Sequence, residues 1–369
     1  MAIWDWTRRS WSPIGIEVGS SGVRMVQLSH DGTRLHAMGR RELPPACDGD
    51  LYSGDRQTAL IDAIDSLRAQ SVFRGRRAVV VLNDRQLLVQ NLRVPRVSEL
   101  SLPDLVEREL AERLPYPIGQ AEVRHVTVGE VRQGDRLYRE VIVFAARSET
   151  LHHIVTLFDK AGLQVCAMDV EPAALIRSFL HEYRRDEDRA SRTLMVHIGT
   201  ARTVVLVCGE GHPLLIKYLQ IGGRQFDQAV AEHLDMELRA AASLRRHQGD
   251  RRASRRDPDV LRSVREATRP VVERLISELA MCCRYYSVTF RGSPLSRVLL
   301  GGGEADADLA RLISQRLNLA ADVAQPFRHI RAETPIEDAP AWDVAVGAAL
   351  RERYASPKPA ATQPAECRT

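Results

Sequence analysis

The sequence predicts an α/β protein built from two similar lobes. Three observations predict it: a strand-turn-strand pattern that occurs twice, a Gly-rich strand-to-helix segment late in the chain, and a composition that can fill more than one core. The pattern runs from Ile14 to Leu28 and again from Leu194 to Val207, and each alternating run bends at small residues. In the first copy these are Gly19, Ser20 and Ser21; in the second they are Gly199, Thr200 and Ala201. The late segment is the apolar run Arg297 to Leu300 followed by Gly301, Gly302, Gly303 and Glu304. With 369 residues, 44% of them hydrophobic and 27% charged, the chain has the size of two or three domains.

Both copies continue in the same way. Asp31 and Gly32 signal a tight turn before a strand at Leu35 to Met38, and Gly209 to Gly211 do so before Leu214 to Leu219. An amphipathic helix at Ala59 to Leu67 and a buried-type strand at Ala78 to Leu82 follow the first copy; a helix at Phe226 to Leu234 follows the second. Between the copies, alternating strands at Gln86 to Val94, Glu122 to Val131 and Tyr138 to Ala146 suggest a smaller βαββα unit. After the Gly-rich segment comes a helix at Ala307 to Leu317. The Arg- and Asp-rich stretch His247 to Asp259 reads as a loop, and Ser356 to Thr369, with three prolines, as a disordered tail. At the other end, Ile3, Trp4, Thr7 and Trp11 share one helical face beside Arg8 and Arg9, which suits a membrane interface or packing on the chain's own lobe.

Composition removes several classes of function. No stretch approaches the roughly 18 apolar residues that span a bilayer, and the N-terminus lacks the apolar centre of a secretory signal, so the expected location is the cytoplasm. The cysteines at 47, 166, 208, 282, 283 and 367 have neither CxxC spacing nor a His cluster, which argues against zinc and against a disulfide framework. Net charge is +4, with a local excess of arginine between Arg239 and Arg256; no aromatic residues interleave there to stack bases, so no nucleic-acid partner is expected.

The duplicated turns carry the chemistry. Where side chains are absent or small, backbone N–H groups can converge on a phosphate, and two such hairpins facing each other grip a polyphosphate from both sides. A single Gly-Ser turn is usually just a hairpin; the matching pair is the stronger signal. Arg202, beside the second turn, can add positive charge to a terminal phosphate, against the plainer reading of a solvated strand residue. Gly301, Gly302 and Gly303 suit a loop closing over a nucleoside, against the plainer reading of a strand-to-helix turn.

Those three stations resemble the phosphate 1, phosphate 2 and adenosine motifs of the actin, Hsp70 and sugar-kinase superfamily, and more narrowly the PilM family of type IV pilus assembly proteins, which is related to FtsA. Gly15 to Arg24, Leu92 to Pro95, Leu114 to Pro117, Asp169 to Pro172, Ile221 to Gly223, Arg297 to Gly303, Gln325 to Phe327 and Val344 to Gly347 carry the resemblance, in collinear order across residues 13–353. It implies an actin-like (ribonuclease H-like) duplicated two-lobe α/β fold with an inserted small α+β domain of the FtsA 1C or SHS2 kind. Along the chain the expected parts are an N-terminal amphipathic segment (1–12), the first lobe (13–90), the inserted domain (91–168) and the first-lobe helix and connector (169–190). There follow the second lobe (191–225), its helical subdomain (226–294), the adenosine segment (295–340), a return helix (341–355) and the tail (356–369).

The same resemblance implies function. ATP with Mg²⁺ is the expected cofactor pair. Gly19, Ser20, Ser21, Gly199, Thr200, Ala201 and Arg202 fall on its phosphate positions; Gly222, Gly223, Gly301, Gly302 and Gly303 fall on its nucleoside positions. The implied partner is the cytoplasmic N-terminal peptide of a PilN-like inner-membrane protein, with PilO- and PilP-type proteins reached indirectly and pilus motor ATPases beyond. That places the chain in the cytoplasm, peripheral to the inner membrane. Alternatives are a related subunit of type II secretion or competence DNA uptake, an FtsA-like cytoskeletal ATPase, and a small-molecule kinase, for which no catalytic carboxylate is evident.

Two departures bear on catalysis. Glu17 stands where the family has Asp, which moves the carboxylate by about 1.5 Å and leaves contact with Mg²⁺ through a water. His197 stands where a second Asp is usual, and imidazole is a poor partner for a hard, oxygen-seeking cation. Around Ala241 to Arg246 the family's acidic and lysine positions also look altered. The expectation is ATP binding with weak or absent hydrolysis, and no residue is assigned a catalytic role.

Overall fold

A computed structural model describes residues 11–44, 52, 54–98, 100–246, 258–290 and 293–354. The amphipathic face at Ile3, Trp4 and Thr7, the loop residues 247–257 and the tail lie outside the described residues.

The first lobe opens with β1 (Ile14–Val18), β2 (Gly22–Leu28), β3 (Leu35–Glu42), α1 (Gly54–Gln70) and β4 (Arg77–Leu82). All five residues of β1 are buried, because it pairs antiparallel with β2 on one side and parallel with β4 on the other, and helices cover both faces. The chain then makes β5 (Leu88–Pro95), α2 (Leu102–Ala111), β6 (Ala121–Gln133), β7 (Arg136–Arg147) and α3 (Ser148–Lys160). These three strands form a separate antiparallel sheet, β5-β7-β6, whose own apolar core joins Leu92, Val94, Val141 and Val143 to Leu105, Val106 and Leu110 of α2. The chain rejoins the first sheet as β8 (Gln164–Val170), then forms α4 (Glu171–Glu182) and the short α5 (Asp186–Ala190).

The second lobe repeats the plan with β9 (Thr193–Ile198), β10 (Thr203–Gly209) and β11 (His212–Leu219). Helices α6 (Gly223–His233), α7 (Leu238–Arg246) and α8 (Pro258–Thr289) come next, then β12 (Arg297–Gly301), α9 (Ala307–Leu317), β13 (Ala320–Val323) and α10 (Asp343–Ala349). The two five-stranded sheets have the orders β3-β2-β1-β4-β8 and β11-β10-β9-β12-β13, so the same antiparallel meander meets the same pair of parallel strands in each. The duplication read from the sequence is therefore a duplication of topology. The β10–β11 turn takes positive φ at both Glu210 and Gly211, the conformation whose twist suits a hairpin.

Helix α10 seats the first lobe against the second. A Cβ on Gly15 of β1 would come within 2.3 Å of the Ala345 carbonyl oxygen, and one on Gly347 within 1.9 Å of that of Ala174 in α4. Glycine at these two positions lets α10 lie directly on both a strand and a helix. One apolar core consequently runs from Ile14, Ile16 and Val80 through Leu175, Val344 and Ala348 to Met195, Val204, Leu206 and Leu299 of the second lobe.

Two details differ from the sequence reading or extend it. Pro258 and Asp259, read as loop, instead begin α8, where proline's fixed φ suits the first helical turn. Trp11 makes an antiparallel bridge to Ser29 and stacks on His36 with ring centroids 3.8 Å apart, so its indole packs on the chain's own lobe. No helix among the described residues is long and apolar enough to cross a membrane.

Candidate functional site

The two Gly-bent hairpins meet. Ser21 Oγ lies 2.9 Å from Thr200 Oγ1, a hydrogen bond between residues 179 positions apart in the chain. Each hairpin closes in the same way: the Gly19 amide donates to the Gly22 carbonyl at 2.8 Å, and the Gly199 amide to the Arg202 carbonyl at 2.9 Å. The amides of Ser20, Ser21, Thr200 and Ala201 have no backbone acceptor among the described residues, which leaves the type of donor an anion would use. Arg56 of α1 holds the first turn from behind, donating to the Gly19 carbonyl at 2.6 Å.

Beneath the turns lies a cleft open to solvent. Of the residues assigned from sequence, Glu17, Gly19, Ser20, Ser21, Gly199, Thr200, Ala201, Arg202 and Gly303 line it. Gly222, Gly223, Gly301 and Gly302 do not, and each has a structural task instead. Gly222 packs on the second hairpin, where a Cβ would stand 2.6 Å from the Gly199 carbonyl oxygen, and the amides of Gly223 and Arg224 donate to the carbonyls of Gly199 and Thr200. Gly301 makes room for the Asp343 carboxylate, 2.0 Å from where a Cβ would be. Gly302 adopts φ +86° with the Ile198 backbone pressed against it.

The floor of the cleft holds a cluster of ionisable groups in which Glu17 and His197, singled out from the sequence, meet Glu171 and Asp343, which were not. His197 on β9 donates from Nδ1 to Asp343 Oδ2 on α10 at 2.9 Å, and its Nε2 lies 3.9 Å from Glu171 Oε1 at the start of α4. Burial alone would depress the imidazole, but Asp343, Glu171 and Glu17 outweigh it and raise His197 to about 9, so it is an imidazolium at neutral pH. Burial raises the Glu171 carboxyl to about 7, despite the opposing pull of His197. Burial also raises Glu17, although Arg24 and His197 work against it.

Cations and anions are paired around the rim as well. Arg24 on β2 donates to Glu17 Oε1 at 3.2 Å, and Arg202 is bound to Asp84, which follows β4. The guanidinium at 202, partly exposed at the cleft, ties the second hairpin to the first lobe. Asp84, Arg85, Asn83 and Tyr218 also line the cleft. The sequence carried one signal for Glu171, its place in the stretch Asp169 to Pro172. Arg24 likewise closes the stretch Gly15 to Arg24, whereas there was none for Asp84 or Asp343, which the fold brings in from the segment after β4 and from the last helix.

Magnesium does not fit these residues. The ion demands hard oxygen ligands in near-octahedral geometry. Glu17 has one oxygen bound to Arg24 and only Oε2 buried without a partner, while the opposite position is a protonated imidazole. Chemically, the cleft offers hydroxyls, small-residue backbone, the buried His197 cation, partly buried arginines and one carboxyl group, Glu171, poised near neutrality.

Comparison with known proteins follows the same outline. A family profile described as type IV pilus assembly protein PilM matches residues 15–353. Among solved structures, a chain of a PilM-PilN type IV pilus biogenesis complex superposes with a TM-score of 0.75 at 24% identity, covering 92% of this chain and 98% of that one. The ethanolamine utilization protein EutJ from Carboxydothermus hydrogenoformans superposes with a TM-score of 0.55 at 14% identity, over 92% and 89%. Both likenesses are likenesses of fold, and the duplicated sheets are those of an actin-like protein.

Proposed function

Because the chain belongs to the PilM family of type IV pilus assembly proteins, we propose that it is a nucleotide-binding scaffold of the pilus assembly machinery, held at the cytoplasmic face of the inner membrane by a PilN-like protein. The observation that carries the nucleotide half is the meeting of two Gly-bent hairpins at Ser21 and Thr200 over one cleft. Small residues and unengaged amides on both sides suit the phosphates of ATP.

Hydrolysis by such a cleft is slow. Phosphoryl transfer depends on positioning and on charge stabilisation, much of it from a metal ion that these residues do not fit. The imidazolium at His197 cannot act as a base, and Glu17 is neutralised by Arg24. Glu171 is the carboxyl group best suited to order a water, since a base works best with a pKa near the working pH.

The partner half rests on family membership and on the likeness to a chain that was solved with PilN. In this reading the β5-β7-β6 sheet and α2 are the inserted docking module. Its outer strands β5 and β6 each pair on one side only within that sheet, and such an edge can accept an extended peptide. PilO- and PilP-type proteins are then reached through the PilN-like protein, and the pilus motor ATPases through the assembled complex.

Two measurements on the purified chain test this. Calorimetry should show saturable ATP binding, and phosphate release should stay below about 1 s⁻¹, the low end of ordinary phosphoryl-transfer enzymes. ATP that does not bind, or is turned over faster than that, defeats the nucleotide half. For the partner half, a labelled N-terminal peptide of the cognate PilN-like protein should bind with Kd tighter than about 1 mM, and its failure to do so removes the docking assignment.

A further inference from the structure

The phosphate half of the cleft is open, whereas the two glycine stations assigned to the nucleoside are joined by protein side chains. Arg245, on α7, is the joint. Its Nε donates to Asp227 Oδ1 of α6 at 2.7 Å, its Nη2 donates to Glu304 Oε1 at 3.1 Å and to the Gly223 carbonyl at 3.2 Å, and its Nη1 is bound to the other Glu304 oxygen. The guanidinium also lies over the Phe226 ring, 5.6 Å from its centroid. Glu304 follows Gly303, so this bidentate fork links the loop after β12 directly to the start of α6.

On the cleft side the open space reaches Gly303 and Glu304, and beyond them the link closes over Gly223. A Cβ on Gly223 would stand 2.1 Å from Glu304 Oε1 and 3.4 Å from Arg245 Nη2, so the linked side chains occupy the face of Gly223. Only 12% of the Arg245 side chain and 14% of that of Glu304 is exposed, so these pairs are shielded from water and are not screened like surface ion pairs. Asp227, at 5% exposure, has a second partner in Arg246 at 3.1 Å. The cluster is therefore anchored on one side and can release on the other.

We propose that Arg245 is a latch across the nucleoside half of the cleft, and that a nucleotide binds fully only when the Arg245–Glu304 link opens. This rests on the reading of the cleft as a nucleotide site and adds what limits entry to it. In the latched form the cleft takes a polyphosphate but excludes the base and sugar. A ligand that needs the open form loses affinity in proportion to the fraction of molecules that are open, whereas a ligand indifferent to the latch does not.

The test compares ATP with inorganic triphosphate, each titrated calorimetrically into the full chain and into Arg245→Ala. Triphosphate should bind both proteins equally within about twofold, and ATP should bind the variant at least tenfold more tightly, since removing the latch removes the opening cost. Asp227 keeps Arg246 in this variant. A second variant, Glu304→Gln, weakens the same link from the other side and should shift ATP affinity in the same direction. Equal ATP affinity in all three proteins overturns the latch while leaving the nucleotide reading intact. Weaker ATP binding in Arg245→Ala overturns it too, because Arg245 would then grip the nucleoside. If neither ligand binds any of the three proteins, the nucleotide reading fails and the latch with it.

Discussion

His197 governs the centre of the molecule, because it carries a positive charge among three acids from three elements: Asp343 of α10, Glu171 of α4 and Glu17 of β1. Its pKa is raised from about 6.5 in the unfolded chain to about 9 in the fold. The folded state binds this proton more tightly, so the stabilisation is fully present below pH 6.5, declines as pH rises and is gone above about 9. It amounts to about 3 kcal/mol. Glu171 acts in the same direction at lower pH, since its raised carboxyl loses stability between its unfolded value and about 7. Thermal unfolding followed from pH 7 to pH 9.5 should therefore show a falling Tm in the wild-type protein. In His197→Asn, which keeps an N–H for Asp343 but carries no charge, that fall should largely disappear; an unchanged slope would mean the imidazole is neutral. The sequence reading treated His197 as a lost aspartate, which identified the position but not its charge. The charge depends on Asp343, 146 residues away, and no local pattern announces that pairing.

Among the elements, strands and helices were legible wherever periodicity was strong. The expected helix Ala307 to Leu317 is α9 to the residue, and the three alternating runs between the lobes are β5, β6 and β7. The start of α8 was missed because Arg and Asp density reads as loop, although Pro258 is a good first helical residue. Four of the five nucleoside-assigned glycines, Gly222, Gly223, Gly301 and Gly302, also meet close packing that a Cβ would disturb, which the sequence did not show. Seeing it requires knowing what lies opposite each one. Helix α10 gives the sharpest test, because a Cβ at Gly347 meets the Ala174 carbonyl carbon and oxygen and cannot be relieved by a rotamer change. Gly347→Ala should destabilise the chain by about 3 kcal/mol, at the upper end for overpacking, read as a lowered midpoint in urea. A loss under about 0.5 kcal/mol, the range of ordinary surface changes, would mean α10 is loosely seated.

At the scale of the whole molecule, the two lobes are fastened at several levels: the Ser21–Thr200 hydroxyl pair and the Arg202–Asp84 ion pair at the rim, His197–Asp343 beneath, and the common core around α10 at the base. Duplicated halves with separate cores would be free to come apart one at a time. Here Val344 and Ala348 belong to the same apolar cluster as Ile16 on one side and Leu206 on the other. Scanning calorimetry should accordingly give one endotherm for the lobes, with calorimetric and van't Hoff enthalpies in agreement; two resolved peaks would contradict a common core. A protein melting in this way is a single cooperative unit, so damage done in one half registers as loss of the other. A change in β9 and a change in β1 then draw on one shared margin, and the twin halves must tolerate change together.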